Sequence, residues 1–219
     1  MSPVSAGGRS LRPPPDVLPA LCLAAALLLP ILLGGCETVP EAAEPEPVAD
    51  PLAAFERRQA VLGQIQNWSA NGRLALNTPG DSVNASVRWQ QIADDYVIRL
   101  SGPLGIGGAS LAGGPAGVTL RTDDKDFSAP TPEALLKDNL GWQLPVSGLK
   151  YWLMGLIAPN VQIRDVRFDP AGRLEYLEQA NWKIQYRRYL RTETMDMPSK
   201  VFMESPRVGV RIIVQEWDL

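Results

Sequence analysis

The side chains that most often carry out covalent chemistry in proteins are scarce in this sequence. Its 219 residues include no histidine and two cysteines, Cys22 and Cys36. Without histidine, Ser-His-Asp and Cys-His catalysis is impossible and a zinc site is disfavoured. The acid pair Asp94-Asp95 lies in a turn-like segment, and no Walker-type lysine follows the glycine-rich residues 105–108. We therefore predict a protein that is not an enzyme and that uses no metal and no cofactor.

Cys36 is the residue whose surroundings indicate a covalent modification. Two arginines precede an apolar run over residues 17–33, which ends in Gly34-Gly35-Cys36. A basic start, an apolar run and small residues at its end are typical of a signal peptide. A cysteine directly after them resembles the bacterial lipobox, in which the thiol is acylated before cleavage. We predict a signal peptide over residues 1–35 and a lipid anchor of the palmitate type on Cys36. A plain secretory signal or an uncleaved anchor is the alternative.

The residues after Cys36 have the composition of a linker. Residues 37–50 carry five acids, three prolines and no basic residue, which is too polar and too stiff to pack into a core. All fifteen aromatic residues lie at Phe55 or later. We therefore predict a lipidated linker over residues 36–50 and one folded domain over residues 51–219. The formal net charge of −3 provides no basic footprint, so we expect no nucleic-acid partner.

Hydrophobic periodicity predicts a mainly β domain with a few helices. Helical spacing covers residues 50–66, and two short central helices are predicted with Thr131 and Ser147 as their N-caps and Gly141 at the end of the first. Period-two alternation predicts about five strands before these helices and five or six after them; its clearest segments are residues 72–77, 83–90, 96–101, 182–187 and 208–215. An antiparallel sheet of about 11 strands tends to curl or close.

The concave, apolar face of such a sheet must be covered, and the central helices are too short to fill it. We therefore predict a partly filled apolar cavity lined by aromatic rings, with a well-packed sheet lacking a cavity as the alternative. Large rings keep apolar surface available without collapsing. Six aromatic residues are candidates for the cavity wall or its lid: Trp89, Tyr96, Trp142, Trp152, Trp182 and Tyr186. Of these we predict that Trp89, Tyr96, Trp152 and Trp182 line the wall that binds acyl chains, and ordinary core packing is the alternative for each of them.

Three stretches, in this order behind a lipobox, are similar to one protein family. They are Arg73-Leu74-Ala75-Leu76 leading into residues 85–91, then Arg99-Leu100-Ser101-Gly102-Pro103-Leu104-Gly105, then residues 140–153 with the sequence LGWQLPVSGLKYWL. Together they resemble the LolB family of outer-membrane lipoprotein receptors of Gram-negative bacteria. The resemblance covers nearly all of the chain after Phe55. One departure is Ile157, where relatives often have proline.

The resemblance implies a curled antiparallel half-barrel with short helices as a lid over its apolar face. It implies a monomer on the outer membrane, lipid-anchored and facing the periplasm, that takes the acyl chains of cargo lipoproteins from the periplasmic carrier LolA. The cargo then enters the inner leaflet of the outer membrane. Glu37, the residue after the acylated cysteine, is compatible with delivery to that membrane.

The connection that contains Pro103, Leu104 and Gly105 is the predicted membrane-insertion loop. Proline and glycine force a turn, and a leucine on a turn ordinarily packs inward. In the LolB family a leucine on this loop instead protrudes and engages the membrane during release. Three other readings stay open: a lipoprotein that binds another lipid or a glycolipid, a structural lipoprotein of envelope assembly, and a hydrolase.

Overall fold

The computed structural model describes residues 46–103 and 107–219, which form three helices and eleven strands. The helices are α1 (Pro51–Leu62), α2 (Pro132–Leu140) and α3 (Val146–Leu153). The strands are β1 (Asn67–Thr78), β2 (Asp81–Ile92), β3 (Asp95–Ser101), β4 (Gly108–Gly114), β5 (Gly117–Thr122), β6 (Asp126–Ala129), β7 (Ile163–Phe168), β8 (Leu174–Gln179), β9 (Trp182–Arg191), β10 (Asp196–Glu204) and β11 (Gly209–Asp218).

All eleven strands belong to one antiparallel sheet, in the order β6-β5-β4-β3-β2-β1-β11-β10-β9-β8-β7. β6 and β7 are the two outermost strands, and they do not pair with each other, so the sheet is curled but unclosed. We call the edge that carries the β1–β2, β3–β4, β8–β9 and β10–β11 connections the upper edge, and the opposite one the lower edge. The predicted mainly β, half-barrel architecture is confirmed.

A β-bulge bends the middle of the sheet where its two halves meet. The register of β1 against β11 shifts between Asn71 and Gly72. A Cβ atom on Gly72 would lie 2.0 Å from the carbonyl oxygen of Ile213, so no other residue fits there without moving the backbone. Bulges increase the local twist of a strand, and this one supports the curl that brings both halves around the same interior.

The predicted ends of α2 are confirmed, whereas those of α1 and α3 are partly wrong. The Thr131 hydroxyl accepts the Ala134 N–H, and Gly141 ends α2 with a φ of 70°. The first helix, predicted to residue 66, ends at Leu62. Ser147 is not an N-cap, because α3 begins one residue earlier and the Ser147 N–H instead donates to the Glu133 carboxylate at 2.8 Å.

Buried polar contacts attach α3 to one half of the sheet. The side chain of Gln179 on β8 accepts the Trp152 indole N–H at 2.9 Å and the Ala158 N–H at 3.0 Å, and its own amide donates to the Ala158 and Val161 carbonyls. The Tyr186 hydroxyl donates to the Trp152 carbonyl at 2.8 Å. The helix therefore covers the concave side of β8 and β9 closely.

The chain enters the domain at the lower edge of the sheet. The Val48 N–H donates to the carbonyl of Pro170, in the β7–β8 connection, at 2.8 Å. α1 follows at once, with its N-terminus capped by the Asp50 carboxylate, and Phe55 packs on Phe168 with ring centroids 4.7 Å apart. The segment before α1 and the β3–β4 connection thus lie at opposite edges.

Candidate functional site: an apolar cavity at the upper edge

A cavity of about 410 Å³ lies between the β1–β5 half of the sheet and helices α2 and α3. This volume falls within the ~300–1,000 Å³ range of sites for small apolar ligands. Most of its wall is aliphatic and comes from the inward-facing residues of the strands; these include Leu74, Leu76, Val83, Ala85, Val87, Ile98, Leu100, Ala109, Leu111, Leu120, Val210 and Ile212. The helices contribute Leu136, Val146 and Leu149.

A cluster of aromatic rings closes the cavity toward the lower edge. Trp68 packs between Trp89 and Trp217, with ring centroids 5.5 and 5.6 Å apart, and Tyr96 follows Trp89 at 6.4 Å. The Trp217 indole N–H donates to the Pro198 carbonyl at 2.8 Å. The aromatic residues therefore fill the lower part of the concave face, and the aliphatic upper part stays open.

Of the four predicted wall residues, the structure places Trp89 in the wall of the cavity and Tyr96 behind it. The Tyr96 hydroxyl is buried and has no hydrogen-bond partner among the described residues. Burial, assisted by the negative charge of Glu133, raises the pKa of Tyr96 to about 12. The ring lies tightly against β4, because a Cβ on Gly113 would meet its hydroxyl at 2.4 Å. Tyr96 thus supports the aromatic floor and does not line the open space.

Trp152 and Trp182 lie away from the cavity, in contrast to the prediction. Trp152 is 1% exposed and is held in the core by Gln179, as described above. Trp182 packs 6.3 Å from Trp152 and faces a different, polar depression. Both rings pack between α3 and the β8–β9 half of the sheet.

The structure also places Trp142, one of the six aromatic candidates, in the wall of the cavity, whereas the predicted residues do not include the aliphatic side chains that form most of that wall. Trp142 lies in the α2–α3 connection and lines the cavity from above. The aliphatic residues carry a signal that the sequence does contain: alternation places Val83, Val87 and Leu100 on the same face as Trp89.

The β3–β4 connection forms part of the rim of the cavity. The Gly102 N–H donates to the Gly107 carbonyl at 3.0 Å, and both glycines line the cavity. Gly107 has a φ of +72°, a conformation that favours glycine. Pro103, the first residue of the predicted insertion loop, is exposed. Leu104, Gly105 and Cys36 lie outside the described residues.

A second, polar groove runs along the same edge of the sheet. It has a volume of about 920 Å³ and lies between α2, the α2–α3 connection and the β8–β9 and β10–β11 turns. Its charged lining residues are Glu133, Lys137, Arg164, Glu178, Lys183, Glu204 and Arg207. Leu144 lines both this groove and the apolar cavity, so the two spaces adjoin at this side chain.

Within residues 46–103 and 107–219, no cluster of three or more acids, cysteines or histidines has the geometry to hold a metal ion. None of the helices in this part of the chain is long and apolar enough to span a membrane.

The fold and the cavity define a half-open β-sheet protein with an interior suited to an apolar ligand. A family profile described as "Outer membrane lipoprotein LolB" matches residues 66–217. The chain is 40% identical to an outer-membrane lipoprotein LolB of Nitrosococcus oceani over 190 residues, covering 86% of this chain and 93% of that protein. A LolB of Alkalilimnicola ehrlichii is 39% identical over 194 residues, covering 88% and 94%. The chain therefore belongs to the LolB family, which confirms the resemblance seen in its motifs.

Among solved structures, a LolA superfamily protein of Nitrosomonas europaea superposes with a TM-score of 0.47 and 8% identity. The match covers 78% of this chain and 94% of that one.

Proposed function

We propose that this protein is a lipid-anchored receptor on the periplasmic side of the outer membrane. It takes the acyl chains of cargo lipoproteins from a LolA-type carrier into the apolar cavity and releases them into the inner leaflet. The observation that carries this proposal is the open, aliphatic cavity at the upper edge of the sheet in a member of the LolB family. No covalent step is involved, and the protein acts as a monomeric chaperone for lipid chains.

The chemistry of the wall favours hydrocarbon over a sugar-bearing lipid headgroup. Among the described wall residues, Asn84 and Thr122 are the only ones with a polar side chain that is not aromatic. A sugar buried there would lose hydrogen bonds to water without replacement, at a cost of roughly 1–3 kcal/mol for each polar group. The cavity also argues against the hypothesis of a purely structural lipoprotein, because a protein that acts only through its outer surface needs no open interior.

The β3–β4 connection is the proposed contact with the membrane. Gly102 and Gly107 close it at the rim of the cavity, so a leucine at position 104 would lie near the opening through which a chain leaves. Insertion of one leucine is worth roughly 1.5–3 kcal/mol. That is too weak to hold the protein on a membrane, but it is enough to orient a domain that its anchor already confines there.

The anchor and its spacer supply location. In this proposal residues 1–35 are removed, Cys36 carries the acyl chains, and residues 36–50 separate the domain at 51–219 from the bilayer. Each buried methylene contributes about 0.8 kcal/mol, so several acyl chains hold far more firmly than one. Since transfer uses no nucleotide, its direction comes from increasing affinity for the acyl chains from carrier to receptor to bilayer.

In the direct test, a carrier loaded with a labelled lipoprotein is mixed with the mature form of this chain. The substitution Cys36→Ala removes the anchor from that form. We expect the label to move to this chain and to stay soluble until liposomes are added. A label that remains on the carrier, while the chain is folded, would count against the receptor role. A preference for free glycolipid over lipoprotein in the same assay would support the general lipid-binding alternative.

A further inference from the structure

The polar groove beside the cavity has no role in acyl-chain binding, yet it is the larger of the two spaces. We propose that it binds the first residues of the cargo polypeptide, directly after its acylated cysteine, and that it prefers an acidic segment. This inference rests on the proposed function, because it assumes that a lipoprotein occupies the cavity.

The covalent structure of a lipoprotein requires such a place. Its acyl chains are attached to the N-terminal cysteine, so the polypeptide begins within a few bonds of the chains in the cavity. The polypeptide cannot follow them inside, because the aliphatic wall offers its N–H and C=O groups no partners. Cavity and groove adjoin at Leu144, so a polypeptide that leaves the cavity past this side chain reaches the groove.

The four basic residues of the groove outnumber its three acids, Glu133, Glu178 and Glu204, and the first two of these acids are engaged by the protein itself. A Glu133 carboxylate oxygen accepts the Ser147 N–H at 2.8 Å. Glu178 lies 3.7 Å from the Arg164 guanidinium and accepts from the Tyr176 hydroxyl at 3.3 Å. Their negative charge is therefore partly committed to holding α2, α3 and β7 in place.

Three cations of the groove are free for a ligand. Lys137 on α2, Lys183 at the start of β9 and Arg207 in the β10–β11 turn form no ion pair among the described residues. They lie on different elements around one space, so an extended peptide along the groove would pass all three. The groove therefore favours a ligand with negative charge.

The N-terminal segment of this chain is itself an example of such a ligand. After Cys36 the sequence continues Glu-Thr-Val-Pro-Glu, and residues 37–50 contain five acids and no base. A lipoprotein with this sequence presents the groove with carboxylates and an extended, proline-containing backbone. Residues 37–41 therefore provide an acidic probe, and substitution of both glutamates by lysine converts it into a basic one.

The experiment measures the affinity of the mature Cys36→Ala chain, which retains every described residue, for three fluorescent probes. They are tripalmitoyl cysteine with its carboxyl group amidated, tripalmitoyl cysteine extended by residues 37–41, and the same lipopeptide with Glu37→Lys and Glu41→Lys. The groove variant is Lys183→Glu with Arg207→Glu. The control, Arg88→Glu with Arg99→Glu, makes the same change of charge at exposed positions on the outer face of β2 and β3.

At low salt the unmodified groove should bind the acidic lipopeptide about tenfold more tightly than the basic one, a difference of about 1.4 kcal/mol. The groove variant should lose this preference, the control should keep it, and all three proteins should bind tripalmitoyl cysteine equally. Equal affinity of the original protein for both lipopeptides would overturn the proposal. So would a preference that survives in the groove variant or disappears equally in the control. Absence of binding to tripalmitoyl cysteine would instead count against the proposed function.

Discussion

A bulky side chain placed inside the cavity should block acyl-chain binding without unfolding the protein. Ala109 and Ala112 lie on the same strand, β4, but on opposite faces of the sheet. Ala109 lines the cavity, whereas Ala112 is exposed on the outer face. Ala109→Phe therefore adds a ring to the open space, and Ala112→Phe adds the same ring to the surface. The pair separates occupation of the cavity from any general effect of the substitution.

The magnitude follows from the space that the ring occupies. Six added carbon atoms displace about five methylenes of a bound chain, each worth about 0.8 kcal/mol, so binding should weaken by ~4 kcal/mol. This corresponds to about a thousandfold higher Kd. The cavity of about 410 Å³ has room for the ring, so little strain is expected in the wall. The melting temperature of Ala109→Phe should stay within a few degrees of the original.

The assay is titration of the mature Cys36→Ala chain and its two phenylalanine variants with a fluorescent acyl probe, together with thermal unfolding by circular dichroism. Ala112→Phe should bind like the original protein. Unchanged acyl affinity in a folded Ala109→Phe variant would show that the chains bind elsewhere, and the assignment of the cavity would be wrong. A large loss of stability would show that this space is closed in solution.

Three further perturbations address the loop, the attachment of α3 and the floor of the cavity. Leu104→Glu should leave folding and cargo uptake unchanged but stop transfer into liposomes, whereas Val161→Glu, at another exposed apolar position, should transfer normally. Gln179→Ala leaves the buried Trp152 and Ala158 N–H groups without acceptors, so urea unfolding should show a loss of roughly 3–5 kcal/mol, against less than about 0.5 kcal/mol for the exposed Gln215→Ala. Tyr96→Phe removes a buried hydroxyl without a partner and should raise stability at neutral pH by about 1 kcal/mol.

The Tyr96 substitution also has a pH signature. Burial holds the pKa of Tyr96 near 12 in the folded protein, whereas the unfolded chain loses this proton near pH 10. The folded state then binds more protons than the unfolded state, so stability falls as pH rises from about 10 to 12. Tyr96→Phe removes this share of the loss, and the advantage of the variant should widen over that interval. A constant difference between the two proteins from pH 7 to pH 11.5 would contradict the burial of this hydroxyl.

The sequence predicts the sheet well because the relevant information is local. In β2, Val83, Ala85, Val87 and Trp89 alternate with polar residues, and the structure places these four on the cavity side. The N-cap at Thr131 is equally local, since its hydroxyl bonds to a backbone group three residues away. β6 was not predicted, because four residues are too few to show a period.

The division of the concave face into a filled half and an open half could not be predicted. It depends on where α3 attaches, and this is set by contacts such as that between Trp152 and Gln179, 27 residues apart in the chain. Periodicity shows that Trp152 and Trp182 face inward but not which half of the interior they occupy. For the same reason the polar groove, assembled from turns and helix ends distant in sequence, left no signal in any one segment.

The entry of the chain at the lower edge of the sheet limits how the domain can meet a membrane. The Val48 N–H is bonded to Pro170 at that edge, whereas the β3–β4 connection lies at the upper one. The twelve residues of β1 span about 40 Å between these edges. The twelve peptide units from Cys36 to Val48 reach about 40 Å at full extension. If Cys36 is anchored in a bilayer, an upright domain can bring the β3–β4 connection to the same bilayer only when the linker from Cys36 to Val48 is almost fully extended. In the proposed arrangement a shorter linker would force the domain to tilt, so the number of residues between Cys36 and α1 would set the angle between the domain and the membrane.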